Sequence, residues 1–392
     1  MKPIIIIGAG MAAYSLAREV RKLDKSAELL IITADDGGFY SKPMLSNAFA
    51  QKKVAAQLIS QSSAQMAEQI GADIMTKTRG NGIDTARKIV DTSNGAFEYR
   101  QLVLAVGAQP IRLNLAGDAS DRVLSVNHID DYATFRAKLL PDLQASARVA
   151  ILGAGLIGCE FADDLAAHGH TVTLIDPNQL PLAALAPQAL CEGLHAALTA
   201  RGINLRLGTT AASIDHADGA IKITLSNGEV VVADVVLSAV GLRPDLALAQ
   251  VAQLATGRGI MVDSHGRTSA ADVYALGDCA EYRVDREGRT SPLPYIAPIL
   301  TAARAIAKTL TGEDTEIDLK HSPVIVKTPS YPLALIPPPP HTVAAGRWET
   351  ELDGATTICR FFDAQGVMVG FGVAPQEAKI RQALMAALGT TP

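Results

Sequence analysis

The chain carries two glycine-rich segments of the same form, and each directly follows a short run of apolar residues. The first covers residues 4–13 and the second residues 149–158, so their leading glycines, Gly8 and Gly153, stand 145 positions apart (153 − 8). A strand, a G-x-G-x-x-G/A turn and a helix together form a dinucleotide-binding βα unit. Two such units in 392 residues predict two dinucleotide sites in a chain long enough for two or three domains.

The glycine spacing explains how each segment would hold a pyrophosphate. The first glycine permits a tight turn, the second lets the backbone approach the ligand, and the third position brings helix and strand together. We expect the phosphates to rest on the N–H groups that begin the helix, at the positive end of its dipole. The predicted contacts are Gly8, Gly10, Met11, Ala12 and Ala13 in the first segment and Gly153, Gly155, Leu156, Ile157 and Gly158 in the second.

An acidic residue after the next strand would grip a ribose in each site, about 20 residues beyond the glycines. Residues 171–176 read as a strand that ends on Asp176, 21 positions after Gly155 (176 − 155). In the first unit Asp35 lies 25 positions after Gly10 (35 − 10), and Asp36 remains an alternative to it. No basic residue follows Asp176 in residues 177–179. Because a carboxylate repels a 2′-phosphate, we expect NADH rather than NADPH at the second site.

A third motif indicates which dinucleotide each site takes. Residues 268–280 place Asp278 directly after a predicted strand and Gly277. Together with the segments 102–108 and 238–244, this motif resembles the two-dinucleotide flavoprotein reductases of the glutathione-reductase fold. The resemblance implies FAD at the first site, NADH at the second, and a bond from Asp278 to the ribityl chain. The further cofactor contacts that we predict are Gly80, Ala105, Gly107, Gly241 and Gly277.

The same resemblance implies the fold. We expect an α/β chain with two Rossmann-like, three-layer dinucleotide-binding domains and a small α+β C-terminal domain. Residues 1–112 and 246–318 would form the FAD domain, residues 113–245 the NAD domain and residues 319–392 the C-terminal domain. A helix over residues 298–310 would close the FAD domain, and a final amphipathic helix would cover residues 376–388.

The cysteine pattern restricts how electrons can leave a flavin. The four cysteines are Cys159, Cys191, Cys279 and Cys359, and no two of them form C-x-x-C or C-x4-C. Disulfide reductases of this fold need a close dithiol after the first helix, so we expect direct transfer to an external acceptor. Neither the cysteines nor the eight histidines show metal-ligand spacing. We therefore predict no metal site, small buried roles for Cys159 and Cys279, and solvated loop positions for His168 and His170.

Residues 33–47 indicate which protein accepts the electrons, because they resemble the T/A-A-D-x4-Y-x-K-P-x-L-S segment of rubredoxin reductases and flavorubredoxin reductases. The rubredoxin reductase resemblance runs nearly end to end. It implies hydride transfer from NADH to FAD N5 and single-electron transfer from FAD to rubredoxin, in support of an alkane hydroxylase or an oxygen-detoxification system. Two alternatives stay open: a reductase of a ferredoxin or flavorubredoxin, and a non-catalytic FAD/NADH redox sensor.

The resemblance also assigns roles to single residues. Lys42 would lie near the flavin or its phosphates, and Glu160 would approach the contact of flavin and nicotinamide; these two are the expected catalytic residues. Lys327 would reach the isoalloxazine edge, and Ile296 would offer a backbone contact at the pyrimidine edge. Leu156 stands where disulfide reductases often carry an aromatic gate, which implies a more open nicotinamide pocket.

Charge and hydropathy limit the partners. The net charge of −5 argues against nucleic acid, and no apolar run approaches the roughly 18 residues of a membrane helix. Sparse, unpaired cysteines are typical of the cytoplasm. We expect a small acidic rubredoxin as partner and a monomeric reductase. The charged residues 282–290 read as a surface hairpin insertion; the alternative is an extra basic contact to rubredoxin through Arg286 and Arg289.

Overall fold

The computed structural model describes residues 2–139, 146–284 and 288–391. Its helices, in chain order, are α1 (Met11–Leu23), α2 (Ala55–Leu58), α3 (Ser63–Ile70), α4 (Ile129–Leu139), α5 (Leu156–Ala167), α6 (Gln188–Ala200), α7 (Ala247–Val251), α8 (Ile296–Leu310) and α9 (Ala378–Ala387). The strands of the first part are β1 (Ile4–Ile7), β2 (Leu29–Ile32), β3 (Asp73–Met75), β4 (Gly80–Asp84), β5 (Ile89–Thr92), β6 (Gly95–Glu98), β7 (Gln101–Leu104), β8 (Ala108–Pro110) and β9 (Val123–Leu124). The middle part adds β10 (Arg148–Leu152), β11 (Thr171–Asp176), β12 (Asn204–Leu207), β13 (Ala211–Ala217), β14 (Ala220–Leu225), β15 (Val230–Ala233), β16 (Val235–Ser238) and β17 (Leu242–Pro244). The last strands are β18 (Ile260–Met261), β19 (Val273–Ala275), β20 (Ala280–Arg283), β21 (Thr290–Pro292), β22 (Val324–Val326), β23 (Leu333–Ile336), β24 (Arg347–Asp353), β25 (Thr356–Phe362) and β26 (Met368–Ala374).

Two five-stranded parallel sheets carry the two glycine-rich turns. The first has the order β19-β7-β1-β2-β3 and the second the order β12-β11-β10-β16-β9. Their central strands, β1 and β10, are almost wholly buried, as the unbroken apolar runs at residues 4–7 and 149–152 require for strands covered on both faces. The predicted α/β fold class with two Rossmann-like domains is confirmed.

Smaller antiparallel sheets flank each parallel sheet. One has the order β4-β5-β6 and another the order β13-β14-β15. Strands β8 and β17, where the chain crosses between the domains, pair with each other. In the predicted insertion, β20 and β21 pair antiparallel, and β20 also pairs with β18. Arg286, named in the alternative for this hairpin, lies outside the described residues.

The C-terminal domain is a five-stranded antiparallel sheet with the order β22-β23-β26-β25-β24. One core of this domain joins Phe371, Val373 and Ile358 of the sheet to Leu384 of α9. The final helix covers Ala378–Ala387, slightly less than predicted, and α8 begins at Ile296, two residues before the predicted start. Pro298 therefore falls in the first turn of α8, where the missing N–H of proline breaks no helical hydrogen bond.

The chain divides into two compact units. Residues 1–42, 56–109 and 242–320 form unit 1, which contains the sheet around β1; residues 43–55, 110–241 and 321–392 form unit 2, which contains the sheet around β10. The C-terminal domain and the short segment 43–55 thus belong to the same unit as the second glycine-rich turn. Among the described residues, no helix is both long and apolar enough to span a bilayer.

Candidate functional site

The first glycine-rich turn has the geometry of a phosphate cradle. Gly8 has φ +116°, and a Cβ there would lie 2.3 Å from the backbone oxygen of Ala105, so only glycine fits. A Cβ on Gly10 would meet nothing within 4 Å, which leaves open space beside the start of α1. The first turn of α1 has neither a side-chain cap nor an acidic residue. Its N–H groups can therefore serve a bound anion.

The predicted ribityl motif lies against this cradle within unit 1. Gly277 approaches the first turn of α1 so closely that a Cβ would stand 2.9 Å from Cβ of Ala12. The next residue, Asp278, is partly exposed. Helix α8 packs along α1 and begins at Ile296, whose side chain is 44% exposed. Gly8, Gly10, Gly277 and Asp278, all assigned to FAD from sequence, thus lie together in unit 1 at the carboxyl edge of the first parallel sheet, where ligands of such sheets bind.

The second glycine-rich turn repeats this geometry in unit 2. Gly153 has φ +106°, and a Cβ there would lie 2.8 Å from the backbone oxygen of Ala239. Gly155 caps α5 with open space around it, and the first turn of α5 again has no side-chain cap or acidic residue. Gly158 packs tightest: a Cβ would stand 1.9 Å from the oxygen of Gly153. These residues fit a second dinucleotide.

Asp176 ends β11 and is 8% exposed. Its Oδ2 accepts a hydrogen bond from the N–H of Ala154 at 2.6 Å, inside the glycine-rich turn. Its Oδ1 accepts from the N–H and the side-chain amide of Asn178, both at 2.8 Å. Carboxylate and turn therefore hold each other in place, in the position that a ribose-binding acid needs.

Asp35 lies differently in the first unit. Strand β2 ends at Ile32, so Asp35 stands three residues beyond the strand, in a loop. Its Oδ1 accepts hydrogen bonds from Thr33 Oγ1 at 2.7 Å and from the N–H of Gly37 at 2.8 Å. The alternative acid, Asp36, is exposed and forms an ion pair with Lys77.

Glu160 and Lys327, which the sequence assigned to the reaction centre, form an ion pair in which the carboxylate is buried and the ammonium group is partly exposed. The side chain of Glu160 is 0% exposed. Its Oε2 lies 2.6 Å from Lys327 Nζ and also accepts a hydrogen bond from Ser46 Oγ, while Oε1 accepts from the N–H of Lys327 at 2.8 Å. One carboxylate of α5 thus ties together the segment 43–55 and the C-terminal domain, all within unit 2.

A second buried acid, Asp163, stands one turn along α5 and is also 0% exposed. Its Oδ2 accepts a hydrogen bond from the N–H of Ser330 at 2.9 Å, and its Oδ1 from Arg201 Nε at 3.1 Å. Asp163 therefore binds the loop that follows Lys327, and it joins that loop to the end of α6.

The third acid, Asp164, binds the backbone of the segment 43–55. Its two carboxylate oxygens accept hydrogen bonds from the N–H groups of Phe49 and Ala50, at 3.0 and 2.9 Å. Burial raises the pKa of Asp164, and these two N–H bonds oppose that shift. His168 stands one turn further along, 3.5 Å from Asp164 Oδ1.

The ring of Phe49 packs against His170, which the sequence predicted to be solvated. The rings of Phe49 and His170 meet edge to face with centroids 5.8 Å apart, and His170 is 8% exposed. His170 is therefore buried rather than solvated, whereas His168 is exposed. His170 Nδ1 accepts a hydrogen bond from the N–H of Ala147 at 3.3 Å, which requires an unprotonated Nδ1. Burial lowers the pKa of His170, and the charges of His168 and Arg136 lower it further.

The remaining predicted cofactor contacts occupy separate places. Lys42 opens a short 3₁₀ turn, Lys42–Asn47, and is the last residue of the first chain segment of unit 1. Ala105 and Gly107 follow β7 in unit 1, and Gly241 follows β16 in unit 2. Gly80 begins β4, and a Cβ there would touch the side chain of Ile7 at the end of β1.

All four cysteines are unpaired and buried. Burial raises the pKa of Cys279 to about 12 and that of Cys191 to about 11, and it also raises the pKa of Cys159 and Cys359. A buried thiol with a raised pKa is a poor nucleophile. The packing roles predicted for Cys159 and Cys279 agree with their complete burial. No cluster of three or more potential metal ligands occurs in residues 2–139, 146–284 and 288–391.

No role was predicted from the sequence for Ser46, Phe49, Asp163 or Asp164. A signal was present, since Glu160, Asp163 and Asp164 interrupt the apolar residues 156–166 at i, i+3 and i+4 positions. Acids with that spacing share the face of a helix. Because every residue from Gly158 to Leu165 is buried, those acids needed partners from other segments.

Comparison with known proteins identifies the family. Residues 2–307 match the pyridine nucleotide-disulphide oxidoreductase family. This chain belongs to that family. Residues 316–388 match a second family, described as the rubredoxin binding C-terminal domain, and they cover β22–β26 and α9. The family assignment implies FAD and a nicotinamide dinucleotide as cofactors, which the two glycine-rich cradles fit.

Several relatives are similar over most of their length. The chain is 40% identical over 385 residues to a rubredoxin-NAD(+) reductase from Alcanivorax borkumensis, with 98% of each chain covered. It is 42% identical over 335 residues to a nitric oxide reductase FlRd-NAD(+) reductase from Aeromonas salmonicida, with 85% of this chain and 83% of the relative covered. A ferredoxin reductase structure from Rhodopseudomonas palustris superposes with a TM-score of 0.89 at 25% identity, covering 100% of this chain and 96% of the other. The resemblance to rubredoxin reductases found in the sequence is confirmed.

Proposed function

We propose that this protein is an FAD-dependent NADH:rubredoxin oxidoreductase. The observation that carries the proposal is the C-terminal domain, because residues 316–388 match the rubredoxin binding C-terminal domain family in a chain that also has two dinucleotide cradles. The inert cysteines support it, since electrons need a route that uses no thiol. The end-to-end similarity to a rubredoxin-NAD(+) reductase agrees with the same acceptor.

The cofactors are assigned to the two cradles. FAD is assigned to unit 1, with its pyrophosphate at Gly8, Gly10 and the first turn of α1, and with Asp278 at the ribityl chain. NADH is assigned to unit 2, with its pyrophosphate at Gly153 and the first turn of α5, and with Asp176 at the ribose. When bound, FAD supplies the step from two-electron hydride chemistry to single-electron transfer.

The chain's own contribution to this chemistry is orientation and charge. The helix dipoles of α1 and α5 favour the two pyrophosphates. Lys327 brings an ammonium group, which would favour negative charge on a nearby reduced flavin. Glu160 holds that ammonium group, with Oε2 2.6 Å from Nζ. Its carboxylate also accepts hydrogen bonds from Ser46 and from the N–H of Lys327, so both carboxylate oxygens have partners. Lys42 is proposed as a second cation beside the flavin.

Anaerobic stopped-flow tests the proposal. Purified protein with bound flavin would be mixed with NADH, and the reduced protein then with oxidised rubredoxin, ferredoxin or glutathione disulfide in separate reactions. We expect rapid bleaching of the flavin and rapid reduction of rubredoxin alone. Electron transfer to ferredoxin and not to rubredoxin would refute the proposed acceptor, and flavin that no carrier reoxidises would indicate a redox sensor.

A flavorubredoxin is the second candidate acceptor. The similarity to a nitric oxide reductase FlRd-NAD(+) reductase favours it, at 42% identity. The chemistry is the same if the acceptor carries a rubredoxin domain, so the two candidates differ only in partner. Comparing kcat/KM for free rubredoxin and for flavorubredoxin distinguishes them.

We further propose that the protein is a monomer and that it works in a reducing compartment. Four unpaired, buried thiols suit such a compartment.

A further inference from the structure

The buried acids of α5 bind three chain segments: the segment 43–55, the loop that begins at Lys327, and the residue that follows α6. Glu160 binds the side chain and the N–H of Lys327, whereas Asp163 binds the N–H of Ser330, three residues further along. The three-residue spacing of the two acids on the helix matches the three-residue spacing of their partners in the loop. The loop 327–330 is therefore attached to α5 at both of its ends.

Directly after Lys327, residues 328–331 form a turn that two hydrogen bonds close. The N–H of Tyr331 donates to the oxygen of Thr328 at 3.0 Å, and Thr328 Oγ1 donates to the oxygen of Tyr331 at 2.7 Å. The phenol of Tyr331 rests on α6 at Gly193, where a Cβ would stand 2.2 Å from the phenol oxygen. A closed turn transmits a displacement from one end to the other, because it cannot absorb the change by local bending. Freeing Ser330 should therefore move Lys327.

We propose that Asp163 is a positioning residue that fixes the ammonium group of Lys327 by holding the N–H of Ser330. This proposal rests on the proposed function, in which Lys327 serves the flavin. Asp163 touches no predicted cofactor group and acts only through the loop. Asp163 also binds Arg201, whose side chain is one-third exposed and which directly follows α6. We assign this second contact a structural role.

Two substitutions of Asp163 separate the acceptor atom from the charge. Asp163→Leu keeps the approximate volume and offers no acceptor to Ser330. Asp163→Asn removes the charge but keeps one oxygen that can accept from Ser330. The matched control is Arg201→Gln, which breaks the ion pair with Asp163 and leaves the Ser330 bond intact.

The readout is flavin reduction by NADH in single-turnover stopped-flow, which needs no acceptor protein. We expect Asp163→Leu to slow the limiting reduction rate about tenfold, the size that loss of one hydrogen bond to a charged group produces, with an unchanged Kd for NADH. Asp163→Asn should restore most of the rate, and Arg201→Gln should match the wild type. Thermal unfolding is measured for each variant, so that the comparison uses folded protein only.

A double-mutant cycle with Lys327→Met completes the test. If Asp163 acts through Lys327, Asp163→Leu should have less than about a twofold effect in the Lys327→Met background. An undiminished tenfold effect in that background, or a parallel rise in the Kd for NADH, would overturn the proposal. Failure of the proposed function is distinguishable, because wild-type protein would then bleach with NADH but leave rubredoxin oxidised, while the cycle could still be read.

Discussion

The two glycine-rich turns share their backbone and differ in what they hold. In both, the leading glycine donates its N–H to the last apolar residue of the neighbouring strand, at 2.8 Å in each case, from Gly8 to Ile32 and from Gly153 to Ile175. The residue after that strand position is Thr33 in the first unit and Asp176 in the second. The geometry of the βα unit therefore fixes the turn in both units, whereas the residue that follows the neighbouring strand differs between them.

The third position of the motif differs as well. Gly158 lies so near the oxygen of Gly153 that no Cβ fits, whereas Ala13 carries its methyl group in full burial. Helix α5 therefore approaches its turn more closely than α1 does. The G-x-G-x-x-G/A pattern thus allows a shorter distance between helix and turn at α5 and a longer one at α1. Single substitutions at the third position can test which distance each dinucleotide requires.

The largest effect should come from exchanging the leading glycines. Gly8→Ala places a Cβ 2.3 Å from a backbone oxygen at φ +116°, so we expect a loss of FAD affinity of about 100-fold or more. Gly153→Ala should leave FAD bound and abolish rapid bleaching by NADH. Flavin absorbance of the purified variants and stopped-flow measure the two outcomes. Loss of FAD from Gly153→Ala would show that the two cradles are not independent.

The third position should give the next largest effect. Gly158→Ala must push α5 away from its turn, and we expect the Kd for NADH to rise about 30-fold, a cost of about 2 kcal/mol. The reciprocal change, Ala13→Gly, should cost about 1 kcal/mol of folding stability and leave FAD in place. Titration calorimetry with NADH and thermal unfolding test the pair. Similar effects of the two changes on their own cofactors would contradict the difference in helix distance.

Asp176 should decide between NADH and NADPH. We expect the wild type to favour NADH, and Asp176→Ala combined with Asn178→Arg to shift the ratio of kcat/KM values toward NADPH by about tenfold or more, because repulsion is replaced by attraction. Steady-state kinetics with a fixed acceptor measure the ratio. Equal efficiency of the wild type with both coenzymes would refute the assignment.

The first unit offers a smaller test with a matched control. Asp35→Ala should weaken FAD binding about fivefold, the loss of one modest hydrogen bond, whereas Asp36→Ala should change it less than twofold because Asp36 is exposed beside Lys77. Fluorescence titration of the apoprotein with FAD measures both. If Thr33→Val weakens binding more than Asp35→Ala, the ribose contact lies at Thr33, which is the position equivalent to Asp176.

The smallest effect concerns pH. The pKa of His170 is lowered in the folded protein, so the unfolded chain binds its proton more readily. The stability that neutral His170 contributes is present above its ordinary pKa and is lost as the pH falls through the lowered value. We expect Tm to fall by about 2 °C more in the wild type than in His170→Asn between pH 7.5 and 5.5. Parallel pH curves would contradict this role.

Much of this architecture could be predicted from local pattern. The glycine turns, their strands and Asp176 were predictable because a parallel βα unit places these residues by short-range geometry. Asp35 was harder, since the extra residues between Ile32 and Asp35 form a loop whose path depends on contacts such as Thr33 and Gly37. Its assignment to FAD remains a prediction.

The sequence could indicate that the acids of α5 form a cluster, but it could not identify their partners. Spacing shows that Glu160, Asp163 and Asp164 share a face, but it does not reveal which distant segments meet them. Ser46 and Ser330 lie 114 and 167 residues from their acids, and only tertiary packing brings them there. For the same reason His170 read as solvated, although Phe49 buries it.

The order of the chain in unit 1 has a consequence for biosynthesis. Strand β19 completes the first parallel sheet by pairing Val273 with Leu102 of β7, and all of residues 110–241 are translated between these two strands. The sheet that carries the first cradle therefore cannot close until the ribosome has made both parallel-sheet cores. Contacts of such large sequence separation form slowly. We expect the nascent first unit to wait with its β7 edge unpaired, and to be a natural substrate for chaperones during that time.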